Sequence, residues 1–229
     1  MTLQELTDEF RRQAGDVSKP QLWSDDEILA YIVDAQDMYV RQTGGISDST
    51  TDAVVQIPVA VNEPYTEHSP CIIRIRSAKL LTARRSLRIA QEVDIPTLRV
   101  QDYGILYPSY LDDTVTGEVT TMVLGIEKNA VRWFKVPATE DMCRMHVYRL
   151  PYPRIVDTDG CLEIDEQHHR HLIMWMKHLA YSKEDAETYD KDLANANAVA
   201  FTLYCEKANQ EEERQRYRPR QMQYGGIPW

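Results

Sequence analysis

The sequence predicts an α+β chain in which helical segments at both ends bracket a strand-rich middle. Apolar residues recur at spacings of three and four near either end. Between them lie short runs rich in β-branched and aromatic residues. No glycine-rich turn between strand and helix marks a βαβ unit. The organisation that follows is discontinuous. Residues 1–50 and 155–213 form the helical part, residues 51–154 form a β-rich insertion between the second and third helices, and residues 214–229 form an extended C-terminal tail.

The first helix spans residues 3–13, with Leu3, Leu6 and Phe10 on one face, and Gly15 with Pro20 prevents its smooth continuation. The second has a sharper start. Ser24 can cap it, Glu27 stands at the third helical position, and Trp23 and Ile28 occupy the two staple positions around that capping box. Leu29, Ile32, Ala35, Gln36, Tyr39 and Val40 continue the stripe until Gly44 and Gly45. An apolar stripe needs a cover, supplied by later helices or by a neighbouring subunit.

Five runs in the middle read as strands: AVVQIPVAV, CIIRIRSAKLL, GEVTTMVLGI, AVRWFKV and MCRMHVYRL. Pro58, Pro64, Pro70, Pro96 and Pro108 punctuate them, and Glu127 to Asn129 make a turn between two strands. An antiparallel or mixed sheet fits this pattern.

Helical periodicity returns from a start near Asp165. Leu172, Ile173, Trp175, Met176, Leu179 and Ala180 form one band of a third helix. After SKEDAETYD comes a fourth helix capped by Asp190, with Leu193, Asn197, Ala200, Phe201, Tyr204, Cys205 and Ala208 on one face. Beyond Tyr217, Pro219, the paired glycines and Pro228 oppose regular structure. This tail carries Arg214, Arg216, Arg218 and Arg220 with Tyr224, Ile227 and Trp229, a mixture that suits docking onto a partner.

Composition excludes several classes of function. The 229 residues carry 36 acidic side chains against 26 Lys and Arg, a formal net charge of -10, which disfavours nonspecific wrapping of nucleic acid over the whole surface. Cys71, Cys143, Cys161 and Cys205 stand far apart, with none of the close pairing of a structural zinc site or redox dithiol. The opening residues are polar and acidic where a secretory signal is basic and then apolar, and no run of about 18 apolar residues occurs. The expectation is a soluble protein of a reducing compartment, without a membrane partner.

Candidate chemistry is sparse. His168, His169, His171 and His178 cluster near the third helix, but no pair is four residues apart, and His171 to His178 spans about 10 Å of helical rise. Only His168 and His171, with Asp165, could share an ion; surface or interface histidines are the favoured reading. Asp25 with Asp26, Asp112 with Asp113 and Glu184 with Asp185 are adjacent acids that point apart on regular elements. There is no Gly-x-Ser-x-Gly elbow and no phosphate loop. Cys205 lies on an apolar helix face, and Cys71 and Cys143 lie in strand runs, so they read as core residues. The expectation is no catalytic residue, no cofactor and no metal.

The most informative charge run is Arg74, Arg76, Lys79, Arg84, Arg85 and Arg88, with no acid among them. It could contact phosphate. The acidic stretch through Glu63 offers another partner, since copies of the chain can present opposite patches across an interface, and protein contact is favoured over a DNA grip.

The order of WSDDEILAYIVDAQDMYVRQTG, the strand-rich insertion, VYRLPYP, LEIDEQHHRHLIMWMKHLAYSKEDAETYD and the last helix resembles the head-to-tail adaptor (neck connector) proteins of tailed bacteriophages. The resemblance covers residues 20–210, and Trp23 through Tyr39 and His169 through Asp190 carry most of it. It implies an antiparallel four-helix adaptor core, a ring usually of about twelve copies, and a place in the virion neck between the portal and a tail nozzle or tail-tube protein. DNA would pass through the ring without sequence recognition. The insertion is large for such a protein. On this reading, Arg214, Arg216, Arg218, Arg220, Tyr224 and Trp229 dock onto the portal or a neighbouring subunit, and Arg74 to Arg88 form an interface patch. Two other classes remain open: a soluble enzyme with a site where the sheet lobe meets the helices, and a nucleic-acid-binding regulator using Arg74 to Arg88.

Overall fold

A computed structural model describes residues 1–94, 113–157, 159–184 and 188–216, the side chains of 215 and 216 excepted. Pro96, Pro108, Asp112, Asp185 and the tail residues from Tyr217 onward lie outside the described residues. The chain is mixed α and β and divides into two compact units, residues 1–44 with 152–229, and residues 45–151.

In the helical unit, α1 (Leu3–Ala14) and α2 (Asp25–Gln42) each begin with a reciprocal capping box. Thr2 and Glu5 form the first, and Ser24 and Glu27 the second, where the Glu27 N–H donates to Ser24 Oγ at 3.2 Å and the Ser24 N–H donates to Glu27 Oε2 at 3.0 Å. Trp23 and Ile28 are buried on either side of the second box, as a hydrophobic staple requires. Arg11 ties the end of α1 to the start of α2. Its guanidinium donates to Asp16 at 2.5 Å, to the Trp23 carbonyl at 3.0 Å and to Asp25 at 2.7 Å.

The third helical segment is broken. A single turn, α4 (Glu166–His169), precedes α5 (Leu172–Tyr181). The N–H groups of His168, His171 and Met174 each donate to the third residue back, a tighter winding than the α-helix and one that runs only in short pieces. Asp190 caps the last helix, α6 (Lys191–Arg216), by accepting the Leu193 N–H at 2.9 Å. Phe201, Cys205 and Ala208 face the core as the sequence predicts, together with Ala194, whereas Leu193 and Ala200 are exposed. α5 packs on both α2 and α6, and α1 packs on α2 and α5.

The second unit is built on an eight-stranded sheet in which β10 (Asp141–Arg149) pairs with three other strands. One edge of β10 pairs antiparallel with two short strands in succession, β1 (Ile46–Asp48) and β2 (Gln56–Val59). The other pairs with β4 (Ile72–Leu80). The sheet continues through β5 (Ser86–Gln91), β7 (Thr121–Leu124) and β8 (Ala130–Trp133) to β3 (Tyr65–Glu67). β5 and β7 run parallel, so the sheet is mixed. A separate small pair joins β6 (Thr116–Gly117) to β9 (Val136–Pro137).

Two sequence expectations change here. Residues 45–50 belong with the sheet because β1 pairs with the end of β10, and residues 152–154 belong with the helices. The first strand run is partly helical: Asp52–Val55 form the one-turn helix α3, and only then does β2 begin. Asp48 turns the chain there, its carboxylate accepting the N–H groups of Thr50 at 2.8 Å and Thr51 at 3.1 Å. Gly45 has φ 97°, and a Cβ at this position would stand 2.9 Å from Cβ of Tyr148, so the close entry of the chain onto β10 requires glycine.

Candidate functional site

The six basic residues of the insertion lie on β4, on β5 and in the turn joining them, and all six are exposed. Strict alternation would not give this pattern, because Ile75 and Ala78 are both buried although three residues apart. The register explains it. Ser77 pairs with His146 and Ile75 with Val147, leaving Arg76 as an extra residue in a bulge. A second shift next to Ile73 keeps Arg74 opposite Tyr148. The bulges turn Ile75, Ala78 and Leu80 inward against Val147, Met145 and Cys143, and place Arg74 and Lys79 on the opposite face.

That face is polar and aromatic. The Arg74 guanidinium sits 4.5 Å from the centre of the Tyr148 ring, and His146 stacks beside Tyr148 while hydrogen-bonding Ser47 at 2.8 Å. Lys79 stands opposite Arg144, a like-charge pair, but Arg144 is drawn off to Asp52 at 3.0 Å and to the Ser49 carbonyl. At the turn, Arg85 pairs with Glu118 at 2.8 Å. Asp141 fastens the same turn by accepting the N–H groups of Thr82 and Ala83 at 2.9 and 3.0 Å. Burial would raise the Asp141 carboxyl, but these hydrogen bonds and that of Met142 outweigh it and hold it below the usual carboxylate range.

The structure thus gathers the predicted patch into one hairpin and adds its supports, Asp141, Glu118 and Tyr148, which the sequence reading did not name. Tyr148 could have been found from its place in the alternation of MCRMHVYRL. Asp141 and Glu118 stand far along the chain from the turn they hold, and no nearby sequence signal marks them.

The tail group is described only at its root. Arg214 is exposed on the last turn of α6, and Arg216 ends that helix. Arg218, Arg220, Tyr224 and Trp229 lie outside the described residues.

The histidines serve packing. His168 Nδ1 and the Tyr204 hydroxyl are 2.7 Å apart, the His171 ring stacks on Tyr204 at 3.7 Å, and His169 contacts the carbonyl oxygens of Ile164 at 2.9 Å and Met1 at 3.1 Å. Burial is the main cause that lowers both His168 and His171 below the ordinary histidine pKa. Among the described residues, no group of three His, Cys, Asp or Glu side chains could hold a metal ion.

Cys143 and Cys205 are buried, and burial pushes both thiols up to about 12, which makes them poor nucleophiles. Cys71 is half-buried and Cys161 exposed. Asp25 is engaged by Arg11 and Asp113 by Arg132. Among the described residues, no helix is long and apolar enough to cross a membrane.

No curated protein matches the chain. A family model does, that of the SU10 adaptor protein, over residues 1–224. The match spans both units and agrees with the head-to-tail adaptor resemblance carried by Trp23 through Tyr39 and His169 through Asp190, so the chain belongs to the SU10 adaptor protein family.

Proposed function

We propose that this chain is a structural component of a tailed-phage virion, in which about twelve copies close into a ring at the neck that joins the portal to the tail. The observation that carries this reading is the family match over nearly the whole chain, both units included. A heterologous contact repeated around a rotation axis produces a closed ring, and repetition multiplies each weak docking patch into a durable joint. The chemistry fits a joint better than a catalyst: the buried thiols are held protonated, and the histidines are committed to Tyr204 and to backbone carbonyls.

DNA would pass through the ring during packaging or ejection. An acidic bore repels phosphate at close range and limits sticking, and the net charge of -10 suits such a bore. The helices form an antiparallel four-helix core around α1, α2, α5 and α6. The tail from Arg214 to Trp229 reaches the portal or a neighbouring copy, with its arginines on carboxylates and Tyr224 and Trp229 as buried anchors. The Arg74 to Arg88 hairpin meets an acidic protein surface.

The test is attachment to purified portal protein, with the copy number read by mass. Full-length chain is expected to attach as a multimer, and deletion of residues 217–229, which leaves α6 whole, is expected to abolish attachment. Unchanged attachment of the shortened chain removes the anchoring role of the tail. A full-length chain that never attaches under virion-like salt and pH removes the ring reading itself.

A further inference from the structure

α6 has two apolar faces, and the helical unit covers one of them. Ala194, Phe201, Cys205 and Ala208 face the core. On the far side, Leu193, Ala196, Val199, Ala200 and Leu203 lie within an arc of about 120° at 100° per residue, and all five are exposed. Val199 is 60% exposed and Leu203 52%, far more than a helix facing only its own core needs. Isolated exposed leucines are ordinary; five adjacent apolar residues in alternating large and small sizes form a ridge with holes. Lys207 and Arg214 continue the same line toward the helix end, and neither has an ion pair among the described residues.

The same unit offers a matching depression. Between α2 and residues 154–156 lies a groove of about 420 Å³ whose apolar lining is Leu29, Ala30, Val33, Ile155 and Val156. Asp26 and Arg154 complete its lining, and Asp37 lies two turns past Ala30 on the same side of α2. Neither acid has an ion pair among the described residues. Burial raises the Asp37 carboxyl above its ordinary pKa even with Arg154 and Arg41 acting against it, so added positive charge there would be favourable. No residue of α6 lines the groove.

We infer that the outer ridge of α6 in one copy seats in the α2 groove of the next, with Lys207 and Arg214 set toward Asp26 and Asp37. This contact deepens the ring reading and rests on it. The two surfaces are different patches of one unit, so the contact is heterologous, as ring closure demands. The occupant is a second copy of this chain because both halves of the match, apolar and charged, are found on it.

The experiment places one cysteine on each side, Ala196→Cys on the ridge and Ala30→Cys in the groove, in a Cys71→Ser, Cys161→Ser background. Chains assembled with portal protein are oxidised and run without reductant. The double variant is expected to give a ladder of linked chains, and each single variant is expected to give none. Mixing the two single variants is expected to give linked dimers. Dimers from Ala196→Cys alone would show α6 against α6 and overturn the proposal. A link from Ala196→Cys to another virion protein would do the same. So would labelling of that cysteine in free chains that is blocked until residues 217–229 are deleted, because the tail would then be the cover. Assembled multimers with no link in the double variant overturn this contact while the ring stands. Chains that never assemble remove both.

Discussion

Arg11 in the helical unit and Arg149 in the sheet unit are both buried, and they are satisfied over very different lengths of chain. Arg11 reaches Asp16 five residues on and Asp25 fourteen residues on, and it also donates to the Trp23 carbonyl. Arg149 reaches Asp48, 101 residues away, at 2.6 Å, and both side chains are almost fully buried. Burial would raise the Asp48 carboxyl, but the N–H groups of Thr50 and Thr51 and the Arg149 guanidinium hold it well below the usual range. The first arrangement is redundant and local. The second ties β1 to the end of β10 through a pair that spans 101 residues of chain.

The largest expected effect separates the two. Asp48→Ala removes the buried carboxylate that Arg149 and the Thr50 and Thr51 N–H groups share, and should cost about 3–5 kcal/mol in denaturant titration. Asp16→Ala should cost less, about 1–3 kcal/mol, because Arg11 keeps Asp25 and the Trp23 carbonyl. Equal losses would erase the distinction.

A smaller change tests the local signals of the helical unit alone. Ser24→Ala removes the acceptor of the Glu27 N–H and should lower stability by about 1 kcal/mol in the same titration. A loss confined to a few tenths would show that Trp23 and Ile28 set the start of α2 by packing.

Acid should act on the units in order. His168 and His171 have lowered folded pKa values, so their neutral forms are favoured in the fold. Stability is full above the unfolded value of about 6.5 and falls as pH drops below it. Asp48 and Asp141 are also lowered, but for a carboxylate stability is full above the unfolded value of about 3.9 and is lost only below it. Melting temperature should therefore decline first as pH drops below about 6.5, and His168→Gln should flatten that first step without touching the acid one. An undiminished first step in that variant would assign it elsewhere.

The thiols report the two units separately. Cys205 is buried in the helical unit and Cys143 in the sheet unit, both pushed up to about 12, while Cys161 is exposed. At neutral pH, Cys161 should label with a thiol reagent promptly and the other two only as their units open. Mass spectrometry across a denaturant series then gives the order of opening. Coincident labelling of Cys143 and Cys205 would mean that the units unfold together. The least effect on stability is expected from Arg76→Glu, a change at an exposed bulge that should stay within about 0.5 kcal/mol while weakening any contact with an acidic partner.

Legibility followed the same division. Ser24, Glu27, Trp23 and Asp190 were readable because a cap involves residues three positions apart, and the stripe of α2 because a helix repeats over a few residues. The break between α4 and α5 was not readable, since Leu172 through Ala180 keep their spacing on either reading. In the sheet, β10 and β4 were legible as runs, but their register was not. The bulge at Arg76 answers to Ser77 and Ile75 meeting His146 and Val147, and nothing within the run IIRIRSAKL signals it.

The outer face of α6 was misread for a related reason. Leu193 and Ala200 share the apolar chemistry of Phe201 and Cys205, and only the position of α5 decides which arc is covered.

By itself, the sequence determined that helical ends bracket a strand-rich middle, the caps that start α2 and α6, the basic run from Arg74 to Arg88, and the family resemblance that the match over residues 1–224 bears out. The tertiary structure alone decided that Asp48 lies against Arg149, that Asp141 holds the basic turn, and that α6 leaves a second apolar face uncovered. Caps and stripes are short-range chemistry, fixed by residues within one or two turns. Partners and covered faces depend on which distant segments meet, and chain closure over a hundred residues leaves no local trace.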